Sequence, residues 1–382
     1  MPPNCTFADA FQVWQNSAAA VARINPTERM RFFISLQSSN ITFSEWIWLL
    51  TLAIAPLLAH IFVGGPQVVV LNPKRPNWLE YACLYNPTTI IWRYYTIALR
   101  RANATKWASY EAAVANTAFW TGFAWDGSEA IAHEVRRQCT GVGRRPHVSL
   151  LSKSAAQTIV VALQGAQTLA DVSRGFTEGD AGEEVAMPTL FSFIALIGLY
   201  RLVVAPWLVE DFSFADVDSP HSRAILNERS DTQDTFDYLK SKTPTNSYRY
   251  QYIFRTWSIR ILFYVPLLAQ FILTMLLFVP FKGKGLIYTA TCTALIIFAT
   301  YLVFATLCVI LWEIARGQDT NVVLPSVNTV WYKAYTVSLG VGAILLFILA
   351  GLETRRTPCG IYTTFPSKLN LDALICKRIS YI

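Results

Sequence analysis

The chain has 382 residues, of which 53% are hydrophobic and only 15% charged, and its formal net charge is +7. Ordinary globular chains are about 25% charged, so the composition excludes an ordinary soluble globular protein. No dense basic arm and no nucleic-acid-binding motif accompanies the positive charge. We therefore predict no nucleic-acid partner and expect the positive charge to face anionic lipid headgroups.

Long apolar blocks decide the class of protein. They cover residues 46–63, 189–208, 261–280, 286–312 and 334–352. Each reaches the roughly 18 residues that a helix needs to cross a lipid bilayer, and tryptophans stand near the ends of the blocks. The sequence therefore predicts an all-α, polytopic integral membrane helix bundle in the plasma membrane or an endomembrane.

Two more segments have the length of a span but carry polar residues. Residues 107–125 contain Glu111 between two bracketing tryptophans, with small residues along one helical face. Residues 155–171 place Gln164 and Asp171 on one face, which is typical of a helix that lines a polar interior or lies on the membrane surface. Counting both predicts seven transmembrane helices, and counting neither predicts five.

The apolar blocks also divide the chain. We expect a polar N-terminal segment (1–45), a first membrane half (46–208), a water-exposed polar insertion (209–256), a three-helix membrane half (257–352) and a C-terminal tail (353–382). Within the first half, residues 72–106 read as an interfacial basic-aromatic segment. Its stretch "IIWRYYTIALRR" suggests an amphipathic helix at the headgroups.

Orientation rests on weak signals, because Lys and Arg divide equally between the two sides of the five blocks. The sequon at Asn4 is the one glycosylation site that stands clear of the apolar segments. It predicts a glycoprotein with an outside or lumenal N-terminus, and an odd number of spans would then put the C-terminus inside.

The stretch "WDGSEAIAHE" (125–134) resembles an active site in composition. On a helix that begins near residue 127, Asp126, Glu129 and His133 share a face, so a metal or acid/base site is one interpretation. The same residues also fit the start of a helix in which Asp126 and Glu129 form a capping box. We favour the capping interpretation and predict no metal and no cofactor.

Arg201 is the charged residue inside an apolar block. A central arginine costs about 2.5–3.5 kcal/mol on insertion scales, so it should reach the headgroups or a buried partner. Trp207 is six residues away, which makes the first arrangement feasible. The second would pair Arg201 with Glu111 or Asp171, and with Gln164 these residues would form an intramembrane polar site.

"WRYYTIALRR" and "FWTGFAWDGSE" resemble stretches of uncharacterised multi-pass membrane proteins of filamentous fungi. The resemblance covers about residues 70–210 and implies a lineage without a mechanism. The sequence also has no recognisable catalytic motif or internal repeat. The favoured hypothesis is a non-enzymatic receptor-like sensor or membrane scaffold, whose ligand or protein partner stays open. The alternatives are a small-solute or ion transporter built around Arg201, and a membrane-embedded enzyme that uses Asp126, Glu129 and His133.

Overall fold

The computed structural model describes residues 30–33, 38, 41–71, 74–104, 107, 109–121, 124–127, 131, 139–140, 147–178, 185–209, 213–214, 253–276, 286–316, 322–356 and 362–364. The helices in these ranges are α1 (Phe43–Gly64), α2 (Trp78–Leu84), α3 (Pro87–Asn103), α4 (Ser109–Asn116), α5 (Lys153–Glu178), α6 (Ile197–Val204), α7 (Ile253–Leu276), α8 (Ala290–Arg316) and α9 (Val330–Glu353). Short 3-10 turns extend α6 into one helical segment, Met187–Trp207.

The strands are short and form four small sheets. β1 (Met30–Phe33) pairs in parallel with β7 (Leu286–Thr289). β2 (Gln67–Val70) pairs in parallel with β3 (Thr117–Trp120), which pairs antiparallel with β4 (Trp125–Asp126). The other two pairs are antiparallel, β5 (Cys139–Thr140) with β6 (Ser213–Phe214) and β8 (Arg355–Arg356) with β9 (Tyr362–Thr363).

The five apolar blocks all form long helical segments, as the sequence predicts. α1, Met187–Trp207, α7, α8 and α9 are each long and apolar enough to cross a membrane. Their outward faces expose large apolar side chains such as Phe62, Ile261, Phe304 and Ile344. An apolar outer surface of this extent is what a bilayer, rather than water, accommodates.

The expected span at residues 107–125 does not form as a continuous helix. α4 covers eight residues, about 12 Å of helix, and the chain then becomes the buried strand β3. The local reason is the pairing of β3 with β2, whose valines supply the neighbouring strand. An eight-residue helix is too short to cross a bilayer, so this segment does not supply a seventh span.

The bundle has two distinct ends. At the first end, Glu45 of α1 forms an ion pair with Arg356 beyond α9. The backbone N–H of Met187 donates there to the hydroxyl of Thr354 (3.0 Å). At the second end, Arg201 donates to the carbonyl of Val63, next to the last residue of α1 (2.7 Å). α1 and Met187–Trp207 therefore run from the first end to the second.

α5 runs in the opposite direction to the segment Met187–Trp207. Near its start, the hydroxyl of Ser154 donates to the carbonyl of Leu208 (2.8 Å), and further along that of Thr168 donates to the carbonyl of Ser192 (3.1 Å). Its 26 residues cover about 39 Å. α5 therefore returns the chain from the second end, where α1 stops, to the first end, where Met187 begins.

Several polar side chains of α5 point inward, and several large apolar side chains point outward. Ser154, Thr158 and Thr168 are buried, whereas Ile159 and Leu163 are more than half exposed. A helix on a soluble protein shows the reverse distribution. Of the two arrangements that the sequence left open, the structure has the one in which this helix lines a polar interior.

α2 and α3 form a helical hairpin that enters the bundle from the second end. Asn77 and Glu80 make a capping box that starts α2. The side chain of Asn86 caps α3, and Pro87 occupies its first turn. The tip is anchored inside the bundle, because Asn86 donates to the hydroxyl of Thr336 in α9 (3.0 Å).

α3 is surrounded by protein, and here the sequence prediction of a surface helix was wrong. Every residue from Thr88 to Arg100 is buried. A helix of this polarity is stable inside a bundle only when its polar groups have partners. Each of the five apolar segments supplies one or more: Gly64 for Arg93, Arg201 for Tyr94, Thr256 for Asn103, Thr306 for Thr88 and Tyr332 for Thr89.

Candidate intramembrane polar site

Arg201 lies where four helices meet. Its side chain is 1% exposed and projects from α6 into the space between α1, α3 and α5. α6 and α5 approach each other closely at Gly198 and Gly165, because a side-chain carbon at either position would collide with the backbone of the other helix. This close contact brings the start of α5 against the guanidinium.

All four described partners of the Arg201 guanidinium are neutral. Nε donates to the hydroxyl of Thr158 (2.9 Å), and one terminal nitrogen donates to the carbonyl of Val63 (2.7 Å) and to the hydroxyl of Tyr94 (3.5 Å). The other terminal nitrogen donates to the hydroxyl of Ser154 (3.4 Å). Two of these distances are at the upper limit for a hydrogen bond.

The hydroxyls beside Arg201 have no spare hydrogens. Thr158 donates its hydroxyl hydrogen to the carbonyl of Ser154 (2.8 Å), and Ser154 donates to the carbonyl of Leu208 (2.8 Å). The backbone carbonyls therefore orient both oxygens to accept from the guanidinium. The result is a preorganised cationic group whose positive charge has no carboxylate partner among the described residues.

Two neighbouring polar side chains complete the site. His60 of α1 is 2% exposed and packs on Gly198, one turn before Arg201. Its Nε2 atom and the Oε1 atom of Gln164 are buried, and the two side chains are polar neighbours of each other. The site thus contains one guanidinium and a His60–Gln164 pair.

Of the residues that the sequence grouped with Arg201, only Gln164 lies close to it. Glu111 forms an ion pair with Arg100 of α3 (3.3 Å) and belongs to a separate cluster. Asp171 is exposed on α5, 13 residues beyond Thr158 and so about 20 Å along the helix. The expected pairing of Arg201 with Glu111 or Asp171 is therefore absent from the described structure.

Sequence reasoning did not group Ser154, Thr158, Tyr94 or His60 with Arg201. A signal for the first two was present, because Ser154, Thr158 and Gly165 recur along one face of α5. The pairing of that face with Arg201 depends on how α5 and α6 pack and is not encoded in either segment alone.

The cluster around "WDGSEAIAHE" is only partly described. Asp126 ends the short strand β4 and is half-buried. Glu129 and His133 of the expected capping box or metal site lie outside the described residues, and so does the expected glycosylation site at Asn4. In the part of the chain that is described, no three His, Cys, Asp or Glu side chains come together in a way that could hold a metal ion.

Comparison of the chain with protein-family models, curated proteins and solved structures found no match.

A second buried charged cluster joins three helices near the Arg201 site. Arg260 of α7 donates to Glu313 of α8 (3.1 Å), whose other oxygen accepts from Tyr95 of α3 (2.7 Å). Burial, and then the nearby Glu313 carboxylate, raise the pKa of the Tyr95 hydroxyl above its usual value. Tyr95 therefore remains a donor, and the cluster holds the three helices together.

Proposed function

We propose that this protein is a six-crossing, non-enzymatic membrane protein that acts as a scaffold or a receptor-like sensor. Its crossings would be α1, α5, Met187–Trp207, α7, α8 and α9. Trp257, Trp312 and Trp331 are partly or largely exposed at the second end, as expected of residues at the headgroups. Trp48 is half exposed at the first end, beside Tyr362. From Ala290 to Trp312, α8 covers about 33 Å, close to the thickness of the hydrocarbon core.

The observation that carries the scaffold or sensor proposal is the position of α3. Its buried side chains hydrogen-bond to all five apolar segments, so relative movement of any two of them would break polar contacts inside the bundle. Buried polar contacts that are left unmade cost about 1–3 kcal/mol each. This arrangement favours a bundle that keeps its shape over one that rocks between two open states.

Six crossings would place the segments before α1 and after α9 on the same side of the membrane. Lys and Arg close to the crossings are about equally frequent at the two ends, so the positive-inside rule does not choose a cytoplasmic end. Exposed Arg255 and Arg316 would meet anionic headgroups at the second end.

A cysteine-accessibility experiment separates a fixed bundle from a transporter that opens alternately. Val161 is 2% exposed and lies on the contact between α5 and α6, beside the polar site. In a cysteine-free background, Val161→Cys should not react in intact membranes with a membrane-impermeant maleimide added from either side. It should react fully after the membranes are dissolved in sodium dodecyl sulfate.

Ser149→Cys provides the matched control, because Ser149 is exposed just before α5 at the second end. It should react from one side only. Reaction of Val161→Cys in intact membranes would contradict the scaffold or sensor proposal and favour a small-ion transporter. The buried position of Arg201 supports this second function, since this cation has no described counter-ion.

A further inference from the structure

A guanidinium lies between two tryptophans where α3 ends. Arg101 is in the last turn of α3, and its guanidinium carbon lies 5.9 Å from the ring centre of Trp107 and 5.7 Å from that of Trp207. Trp207 ends the segment Met187–Trp207 at the second end of the bundle. Because tryptophan prefers the headgroup level of a bilayer, the Arg101 charge lies at that level.

The Arg101 side chain has no ion pair or hydrogen bond within the part of the chain that the structure describes. Its Nε atom is buried. The two terminal nitrogens remain accessible, since the side chain is partly exposed and neither is among the buried polar atoms. By contrast, the neighbouring Arg100 and the Arg260 of α7 each pair with a carboxylate. The outer edge of the Arg101 guanidinium is therefore open to a ligand.

Contact with the two indole rings suits this open edge to a phosphate. An aromatic ring attracts a cation through its face, whereas the hydrogen bonds of a guanidinium lie in its own plane. The terminal nitrogens form a fork that matches two oxygens of one phosphate group. The rings and the buried Nε already restrict the side chain, so less conformational entropy is lost when a ligand binds.

The segment beside the two tryptophans points to a lipid as the source of the phosphate. The backbone N–H of Val148 donates to the carbonyl of Pro206 (2.9 Å), and the Val148 side chain packs in the same apolar cluster as Trp107. Leu150 and Leu151, which follow shortly after, are 91% and 100% exposed. Leucines this exposed are stable next to hydrocarbon rather than water.

A second cation favours a lipid with a net negative charge. Lys153 is exposed at the start of α5, next to Ser154, whose hydroxyl donates to the carbonyl of Leu208 beside Trp207 (2.8 Å). Lys153 and Arg101 both add positive potential where the headgroup lies. This potential attracts an anionic headgroup and repels the ammonium group of choline.

We propose that the cluster of Arg101, Trp107 and Trp207 binds one anionic phospholipid at the second end. The guanidinium fork holds the phosphate, and the acyl chains extend past Leu150 and Leu151 into the hydrocarbon. This site requires only that the second end lies at the headgroups. It goes beyond the scaffold or sensor function, since a fixed bundle and a transporter both present this end to lipid.

Thermal unfolding of the purified, delipidated full chain in an uncharged detergent tests this site. Phosphatidylglycerol is titrated in mixed micelles, with phosphatidylcholine of the same acyl chains as the zwitterionic reference. Phosphatidylglycerol should raise the Tm saturably, by on the order of a few degrees, because a lipid that binds only the folded state stabilises it. Phosphatidylcholine should raise the Tm less, and inorganic phosphate should leave it unchanged.

Variants assign the effect to Arg101. Arg101→Gln removes the fork and should raise the phosphatidylglycerol concentration at the half-maximal Tm shift by about tenfold or more. Arg316→Gln is the matched control, because it removes an equal charge from an exposed position of the second end, where Arg316 lies over Trp312. Its half-maximal concentration should equal that of the unmodified protein. Arg101→Lys keeps the charge without the fork and should raise that concentration by roughly threefold to fivefold.

Four results would overturn this assignment. The half-maximal concentration could stay unchanged in Arg101→Gln, or in Arg101→Lys, which decides if Arg101→Gln fails to fold. An equal increase in Arg316→Gln would mean that only the net charge of the second end matters. Phosphatidylcholine could act as strongly as phosphatidylglycerol, or inorganic phosphate could give the same shift and so identify a soluble anion. None of these outcomes depends on whether Val161→Cys reacts in membranes, so the two proposals can fail separately.

Discussion

The carbonyl oxygen of Val161 packs directly on Gly198, so closely that no side-chain carbon fits between α5 and α6 at this point. A methyl group at Gly198 would also lie 2.7 Å from Cε1 of His60. The backbone oxygen cannot rotate away. Glycine is therefore required here for steric reasons, and the Arg201 site depends on this approach of the two helices.

Gly198→Ala should destabilise the protein by about 1–3 kcal/mol, because overpacking forces the two helices apart. The measurement is the Tm of the purified variant in detergent. Gly340→Ala is the matched control, since nothing lies within 4 Å of the added carbon on exposed α9. That variant should be neutral or slightly stabilised through helix propensity. Equal Tm values for the two variants would contradict the packing described for α5 and α6.

Glu313→Gln should lower the free energy of unfolding by about 3–5 kcal/mol, although it hardly changes the shape of the side chain. The substitution replaces the carboxylate in the buried ion pair with Arg260 by a neutral amide, and the removal of one partner of a buried ion pair is strongly destabilising. The double variant Arg260→Met/Glu313→Leu should recover much of the loss, because it removes both charges. Tm values for the single and double variants form a cycle, and simple additivity of the two changes would argue against coupling.

Glu353 accepts from the backbone N–H groups of Ala290 (3.2 Å) and Thr291 (2.8 Å), at the start of α8. Its side chain is fully buried. A carboxylate here compensates the positive end of the helix dipole, so Glu353→Gln should lower stability by about 1–2 kcal/mol. Glu353→Leu should lower it further, because both N–H groups then lose their acceptor. If Gln and Leu are equivalent in thermal unfolding, Glu353 does not act as a helix cap.

Thr88→Val tests the anchoring of the α2–α3 hairpin. The Thr88 hydroxyl contacts the hydroxyls of Thr306 (2.9 Å) and Tyr335 (2.8 Å), and the substitution leaves both without that partner. Hydrogen bonds between membrane helices are worth about 0.6–1.7 kcal/mol, so a loss of about 1–2 kcal/mol is expected from the Tm. Thr51→Val is the control, since the exposed Thr51 hydroxyl donates only to its own helix. If Thr88→Val lowers the stability no more than Thr51→Val does, the Thr88 hydroxyl does not anchor the hairpin.

The six-crossing arrangement predicts which residues share a side of the membrane. In a cysteine-free background, Arg75→Cys and Arg255→Cys, both at exposed positions of the second end, should react with an impermeant maleimide from the same side. Ser44→Cys, exposed at the first end, should react from the other. Reaction of Arg75→Cys and Arg255→Cys from opposite sides would mean an odd number of crossings between them, which contradicts the return path through α5.

The apolar segments could be predicted because a span is encoded in consecutive residues. Hydropathy located all five, since each carries an uninterrupted apolar surface of the required length. Hydropathy did not identify α5 as a definite span, because its average polarity is moderate. Only the packing shows that Ser154 and Thr158 point inward and that Ile159 and Leu163 form the outer face.

α3 could not be predicted correctly for a different reason. Its arginines, threonines and tyrosines suit the headgroup region as well as a polar interior. The partners that decide between the two, such as Thr306, Tyr332 and Tyr335, stand more than 200 residues further along the chain.

The separation between α3 and its partners has a consequence for biogenesis. Thr88, Thr89 and Asn86 are made long before α8 and α9, which carry the hydroxyls that they contact. Until those last helices have been translated, Thr88 and Asn86 lack these side-chain partners and the hairpin cannot dock completely. The final crossing therefore acts as a completion signal, because a chain truncated before α9 would retain an undocked hairpin for quality control to recognise.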